Sequence, residues 1–136
     1  MKRTFMIITC GVAMVSAIGC DGIYVVHVRV VTGPSSTYEV LDAEQSLSSG
    51  PGVAGATILF WERDPSGGRY DRTEATTNNE GYLEDRGFIG PPPSQSYLLY
   101  FSCRRKGYEG VDGVFDLPKA EGKTLLITMK KETPGG

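Results

Sequence analysis

From residue 22 onward the chain alternates apolar and polar positions with a period of two, the spacing that puts every second side chain of a β-strand on one face. Residues 23–32 (IYVVHVRVVT) are rich in Val and hold no breaker, which predicts a strand. One of its faces, Tyr24, Val26, Val28 and Val30, is wholly apolar and is expected in the core; the other carries His27 and Arg29. Residues 55–63 set Ala56, Ile58 and Phe60 against Thr57, Leu59 and Trp61, a strand partly covered on both sides. Residues 69–77 read as a polar edge strand whose charges discourage pairing with other chains. Further strands are expected over 82–88, over 96–104 with Tyr97, Leu99, Phe101 and Cys103 on one face, over 114–117, and over 123–131 with Leu125, Ile127 and Met129 on one face.

Turn chemistry separates these runs. Asp64-Pro65-Ser66-Gly67-Gly68 and Asn78-Asn79-Glu80-Gly81 supply the preset and positive φ values that tight turns need, and the prolines at 91–93 cannot donate to a ladder. Residues 33–52, polar and flanked by Gly-Pro and Gly-Pro-Gly, read mostly as a loop, within which 39–47 has room for one or two helical turns. Residues 132–136 are expected to fray. About seven strands with turns roughly every 8–12 residues predict an antiparallel β-sandwich.

The N-terminus follows a different pattern. Lys2 and Arg3 precede an uncharged stretch over residues 4–19 that ends in small residues directly before Cys20, the organisation of a signal peptide (residues 1–19). The stretch is shorter than the roughly 20 apolar residues that span a bilayer. Ala17-Ile18-Gly19-Cys20 resembles the lipobox of bacterial lipoproteins, with Ala17 in place of the usual Leu. That resemblance implies that Cys20 is acylated and becomes the new N-terminus; two or three acyl chains anchor stably where one does not. Ordinary cleavage near Gly19 with a free Cys20 is the alternative. In enterobacterial lipoproteins an Asp in the position of Asp21 resembles an inner-membrane retention signal. The localisation implied is the cell envelope, on the periplasmic face or at the cell surface.

Charge and cysteine content narrow the function. The 136-residue chain has 14 Lys plus Arg against 16 Asp plus Glu, and loss of Lys2 and Arg3 makes the mature part more acidic, so no basic footprint for nucleic acid exists. Cys10 leaves with the signal, and a disulfide between Cys20 and Cys103 is blocked if Cys20 is acylated, so stability must come from packing. The single His removes every metal site built on several His ligands.

The motifs Val53-Ala54-Gly55-Ala56-Thr57-Ile58, Thr77-Asn78-Asn79-Glu80-Gly81-Tyr82, Tyr97-Leu98-Leu99 and Lys106-Gly107-Tyr108-Glu109, followed by the closing run 125–131, together resemble the carboxypeptidase regulatory-like domain. The resemblance covers residues 23–131, with 33–52 as an insertion. It implies an all-β fold: a seven-stranded antiparallel Greek-key β-sandwich, transthyretin-like (prealbumin-like), here preceded by a signal peptide. It also implies a non-catalytic role. Related intradiol dioxygenases use two Tyr and two His on iron, where this chain has His27 alone; the C-terminal Tyr-Arg-Gly-Ser of hydroxyisourate hydrolases is absent; and the first strand offers Arg29 rather than the Lys of isopeptide-forming CnaB modules.

His27 is expected at or near the surface, and Cys103 is expected as a buried structural thiol rather than a nucleophile, despite Arg104, Arg105 and Lys106 beside it. Asp64, Asp71, Asp112 and Asp116 lack the spacing of a calcium loop and read as turn residues. The Arg104–Lys106 run reads as a charged strand end or as a contact for anionic lipid near the anchor. Trp61, Leu59 and Tyr70 form the possible binding face, an apolar patch for a sugar ring or protein partner, with sandwich packing as the alternative. No catalytic residue, metal or cofactor is assigned. The expected function is that of a lipid-anchored envelope protein whose sandwich is a structural or binding module, with carbohydrate binding at Trp61 as the alternative. Its partners are a membrane, reached through the N-terminal lipid, and an envelope protein or glycan.

Overall fold

The computed structural model describes residues 22–42, 50–64, 66–90 and 95–133. The signal run 1–19, Cys20, residues 43–49 of the inserted segment and the prolines at 91–93 lie outside the described residues. Within them the elements are β1 (Gly22–Thr32), β2 (Thr37–Leu41), β3 (Thr57–Arg63), β4 (Arg69–Thr76), β5 (Tyr82–Gly90), β6 (Leu98–Arg104), β7 (Val111–Asp116), the single turn α1 (Leu117–Ala120) and β8 (Thr124–Met129). They form two four-stranded sheets, ordered β2-β8-β1-β5 and β4-β3-β6-β7.

The alternation read from the sequence decides what lies between the sheets. Tyr24, Val26, Val28 and Val30 of β1 are buried, as are Ile58 and Phe60 of β3, Leu99, Phe101 and Cys103 of β6, and Leu125, Ile127 and Met129 of β8. Phe60 meets Phe88 of β5 edge-on at 5.2 Å, locking the two sheets near the β4–β5 side. The expected edge position holds for β4, which borders its sheet; β5 borders the other.

Three expectations change. First, the segment 33–52 holds a strand that was not expected, because Thr37–Leu41 pairs antiparallel with β8 as β2. The Gly-Pro punctuation around it masks a five-residue alternation in which Tyr38 and Val40 pack against the core. Second, the pairing is not wholly antiparallel, since β8 runs parallel to β1. The four-residue α1 carries the chain from the end of β7 across one end of the sandwich, so β8 runs in the same direction as β1, starting opposite His27. Third, the fray expected over 132–136 does not include residue 132, whose N–H donates to Gly107 O at 2.9 Å, and residues 134–136 lie outside the described residues.

Two polar side chains knit the apolar layers. The Tyr38 ring stands edge-on to Phe101 at 5.1 Å, in space that only a glycine at 113 leaves open: a Cβ there would lie 2.4 Å from the ring. Its hydroxyl donates to Val114 O and accepts from Val114 N–H, both at 3.2 Å, which satisfies the free edge of β7. Thr77 is buried, and its hydroxyl donates to Val53 O at 2.7 Å and accepts from Ala56 N–H at 2.9 Å. The preceding and following turns close tightly: Gly81 has φ +85°, and a Cβ on it would lie 2.3 Å from Val30 O.

Thr77→Val keeps the shape of the side chain and leaves the Val53 carbonyl and Ala56 N–H unpaired in the interior. The expected loss is about 2–3 kcal/mol, read as a lower urea midpoint at unchanged slope.

Candidate functional site

The aromatic face predicted around Trp61 exists in altered form. Between Phe60 and Trp61 the β3–β4 register shifts, so that Phe60 faces Thr73 while Trp61 faces Asp71, leaving Arg72 as the extra residue of a bulge. A one-residue shift reverses the faces of the bulged strand on one side of the bulge relative to the other. Tyr70 therefore stands across from Glu62 rather than beside Trp61, and the expected Trp61–Tyr70 patch is not formed. Arg72 turns instead to Glu62 and donates to the Tyr97 hydroxyl at 3.1 Å.

Tyr100 takes the place expected of Tyr70. It lies directly opposite Trp61 across the β3–β6 pair, and the two rings stack at 5.9 Å with 18° between their planes. The Arg69 guanidinium sits 4.0 Å over the Trp61 ring and Arg63 lies 5.1 Å over Tyr100. Arg69 is held there by Asp71 at 2.8 Å. Trp61 and Leu59 are half-buried, and Leu59 shares the outer face with Glu74 and Ser102. A guanidinium thus occupies an indole face on which a sugar would stack. Tyr100 was legible as facing away from Leu99 and Phe101, but its partner strand depends on sheet order.

At the far end of the same sheet Gly55, Thr57, Arg104, Arg105, Lys106 and Tyr108 line a shallow depression of about 400 Å³. Arg104 is neutralised by Asp112 at 2.9 Å, and that contact holds the Asp112 carboxyl below its ordinary range. Arg105 lies against Gly55, where a Cβ would meet its guanidinium at 3.3 Å. The reading of this run as a lipid contact near the anchor conflicts with its place. Tyr108 bridges to Lys131 beyond the end of β8, whereas Gly22 starts β1 at the other end.

The remaining candidates stay apart. His27 is half-buried on the outer face of β1. Asp64 Oδ1 accepts from Ser66 N–H, Ser66 Oγ and Gly68 N–H, which lowers its pKa and closes the β3–β4 turn. Asp71 pairs with Arg69, Asp112 with Arg104, and Asp116 accepts from Tyr97 N–H at 2.9 Å. Among the described residues no three His, Cys, Asp or Glu side chains gather where a metal ion could be held.

No protein-family model matches the chain, and no curated protein does. Among solved structures it is similar to 3-chlorocatechol 1,2-dioxygenase from Rhodococcus opacus 1CP, with a TM-score of 0.54 at 12% identity over 82% of this chain. It is also similar to chlorocatechol 1,2-dioxygenase from Pseudomonas putida, at 0.48 and 14% over 83% of this chain. The chain spans 60% of the first enzyme's length and 61% of the second's. At this identity the likeness shows the fold alone, and the fold's relatives include enzymes. The residues present do not fit the two-Tyr, two-His iron set of intradiol dioxygenases, since His27 is the chain's one histidine.

Cys103 is fully buried with its sulfur 3.8 Å from Met129 Sδ, and burial pushes its thiol from 9.0 up to about 12 against the smaller opposing pull of Arg104. A raised pKa means that the folded chain keeps a proton that the unfolded chain releases, so stability is intact below 9.0 and falls as pH rises toward about 12. Unfolding midpoints across this window should fall more steeply for the native chain than for Cys103→Ala. Equal slopes would show that the thiol is not the titrating group.

Proposed function

We propose that the chain is a non-catalytic, lipid-anchored protein of the cell envelope whose β-sandwich is a structural or binding module of the carboxypeptidase regulatory-like, transthyretin-like type. The observation that carries this reading is the Ala17-Ile18-Gly19-Cys20 sequence after a charged and then uncharged leader, one residue before the first strand begins at Gly22. A lipobox in that place leaves Asp21 alone between the acylated Cys20 and the start of β1. Supporting it is the all-β architecture of two packed four-stranded sheets. A non-catalytic role is supported by the local pairing of Asp71, Asp112 and Asp116 and by the burial of Cys103.

Sugar stacking on Trp61 is the weaker reading, because it requires Arg69 to leave the indole. An envelope protein or a glycan remains the class of partner for the outer face of the second sheet.

In a bacterial host the wild-type precursor should incorporate radiolabelled palmitate and sediment with membranes. Cys20→Ala should abolish labelling and move the protein to the soluble fraction; unchanged processing and fractionation would overturn the anchor.

A further inference from the structure

The large apolar side chains that stand exposed among the described residues are Ile23 at 64%, Tyr70 at 62%, Ile89 at 56% and Leu98 at 48%. Single exposed apolar residues are ordinary on a protein surface. These four share one end of the sandwich. Ile23 is the second residue of β1 and pairs with Ile89 near the close of β5. Tyr70 is the second residue of β4 and Leu98 the first of β6.

The register brings these strand ends together. Arg69 pairs with Arg63, so β4 starts where β3 ends; Leu98 pairs with Asp116, so β6 starts where β7 ends. From there α1 crosses to the first sheet, where Gly122 N–H donates to Val25 O. Arg72 of β4 reaches Ile89 O of β5 across the two sheets. The end so defined is the one where the chain enters at Gly22. The opposite end holds Arg104, Arg105 and Lys106, all exposed.

Behind the apolar rim, on the outer face of the second sheet, stand Trp61 and Tyr100 with Arg69 and Arg63 over their rings. Amphipathic aromatics with long cationic side chains that cover apolar surface and end in charge are the composition of the membrane interface. Resting on the lipid anchor proposed above, we infer that this end of the sandwich docks on the bilayer that holds the Cys20 acyl chains, with Ile23, Ile89, Leu98 and Tyr70 at the contact and Trp61 at headgroup level.

The tether selects this occupant. Only Asp21 separates Cys20 from Gly22, and two residue steps reach about 7 Å. An acylated Cys20 in the bilayer surface therefore holds the start of β1 against it. β1 has 11 residues and is roughly 35 Å long, so the Arg104–Lys106 depression faces away from that membrane. Burying four apolar side chains at an interface adds to the anchor at about 25 cal/mol per Å² removed from water.

Trp61 is the chain's one tryptophan and reports the contact without a label. The lipidated full chain is reconstituted into phosphatidylcholine vesicles, with or without a nitroxide on the lipid headgroup, and followed by flotation and by Trp61 emission. The expected result is flotation, a blue shift on vesicle binding and loss of emission with the nitroxide lipid. The exposed double variant Ile23→Ser, Leu98→Ser should still float and should recover the emission. Flotation without quenching overturns docking and leaves the anchor standing, whereas failure of the wild type to float overturns both. Quenching that the double variant does not relieve overturns the assigned surface. A dimer of the Cys20→Ala chain that the same two substitutions dissociate would assign the rim to a second copy instead.

Discussion

Two sheets held face to face by every second side chain are the constraint under which the rest of the molecule operates. Cys103 is the one cysteine among the described residues and it is free, so the apolar layer between the sheets supplies the cohesion. Val26, Val28 and Val30 of β1 work against Ile58, Phe60 and Phe101 of the other sheet, and the stiffness of β-branched side chains suits that pleated surface. Where polar groups enter the layer they are fully engaged, as the Thr77 hydroxyl is with Val53 and Ala56. Cys103 fits the same rule: its thiol is a small apolar filler, and burial raises its pKa above the ordinary thiol range.

The layered core leaves the functional differences to the ends and the outer faces. Strand direction alternates within the second sheet, so the starts of β4 and β6 gather with the ends of β3 and β7. One end then collects exposed Ile, Leu and Tyr, while the other collects Arg104, Arg105 and Lys106. The parallel placement of β8 beside β1 belongs to the same geometry, because α1 is too short to take the chain anywhere but across the entry end. Likeness to the Rhodococcus dioxygenase is compatible with this division: a sandwich supplies ends and faces, and their chemistry is set by the residues placed there.

Sheet edges show how the fold manages unpaired backbone. β4 borders its sheet with Arg69, Asp71, Arg72 and Glu74, a charged strand that a second chain pairs with poorly. β7 has no such charge density, and Tyr38 reaches across from β2 to satisfy Val114 on both its N–H and its carbonyl.

The sequence by itself determined most of the strands, their inward faces and the turns, because period-two alternation and Gly, Asn and Pro chemistry are local properties. It also determined that Cys103 would be buried with Leu99 and Phe101, and that no multi-histidine metal site can be built from one His. Only the tertiary structure decided which strands are neighbours, and that choice remade the candidate site. Tyr100 rather than Tyr70 stacks on Trp61 because β6 lies beside β3 and a single bulge residue in β4 turns Tyr70 to the other face. The strand at Thr37–Leu41 was hidden for a similar reason: five alternating residues between Gly-Pro punctuated flanks become a strand when the free edge of β8 is there to receive them. Pairing and register join residues far apart in the chain, and local periodicity carries no record of which distant strand will be the partner.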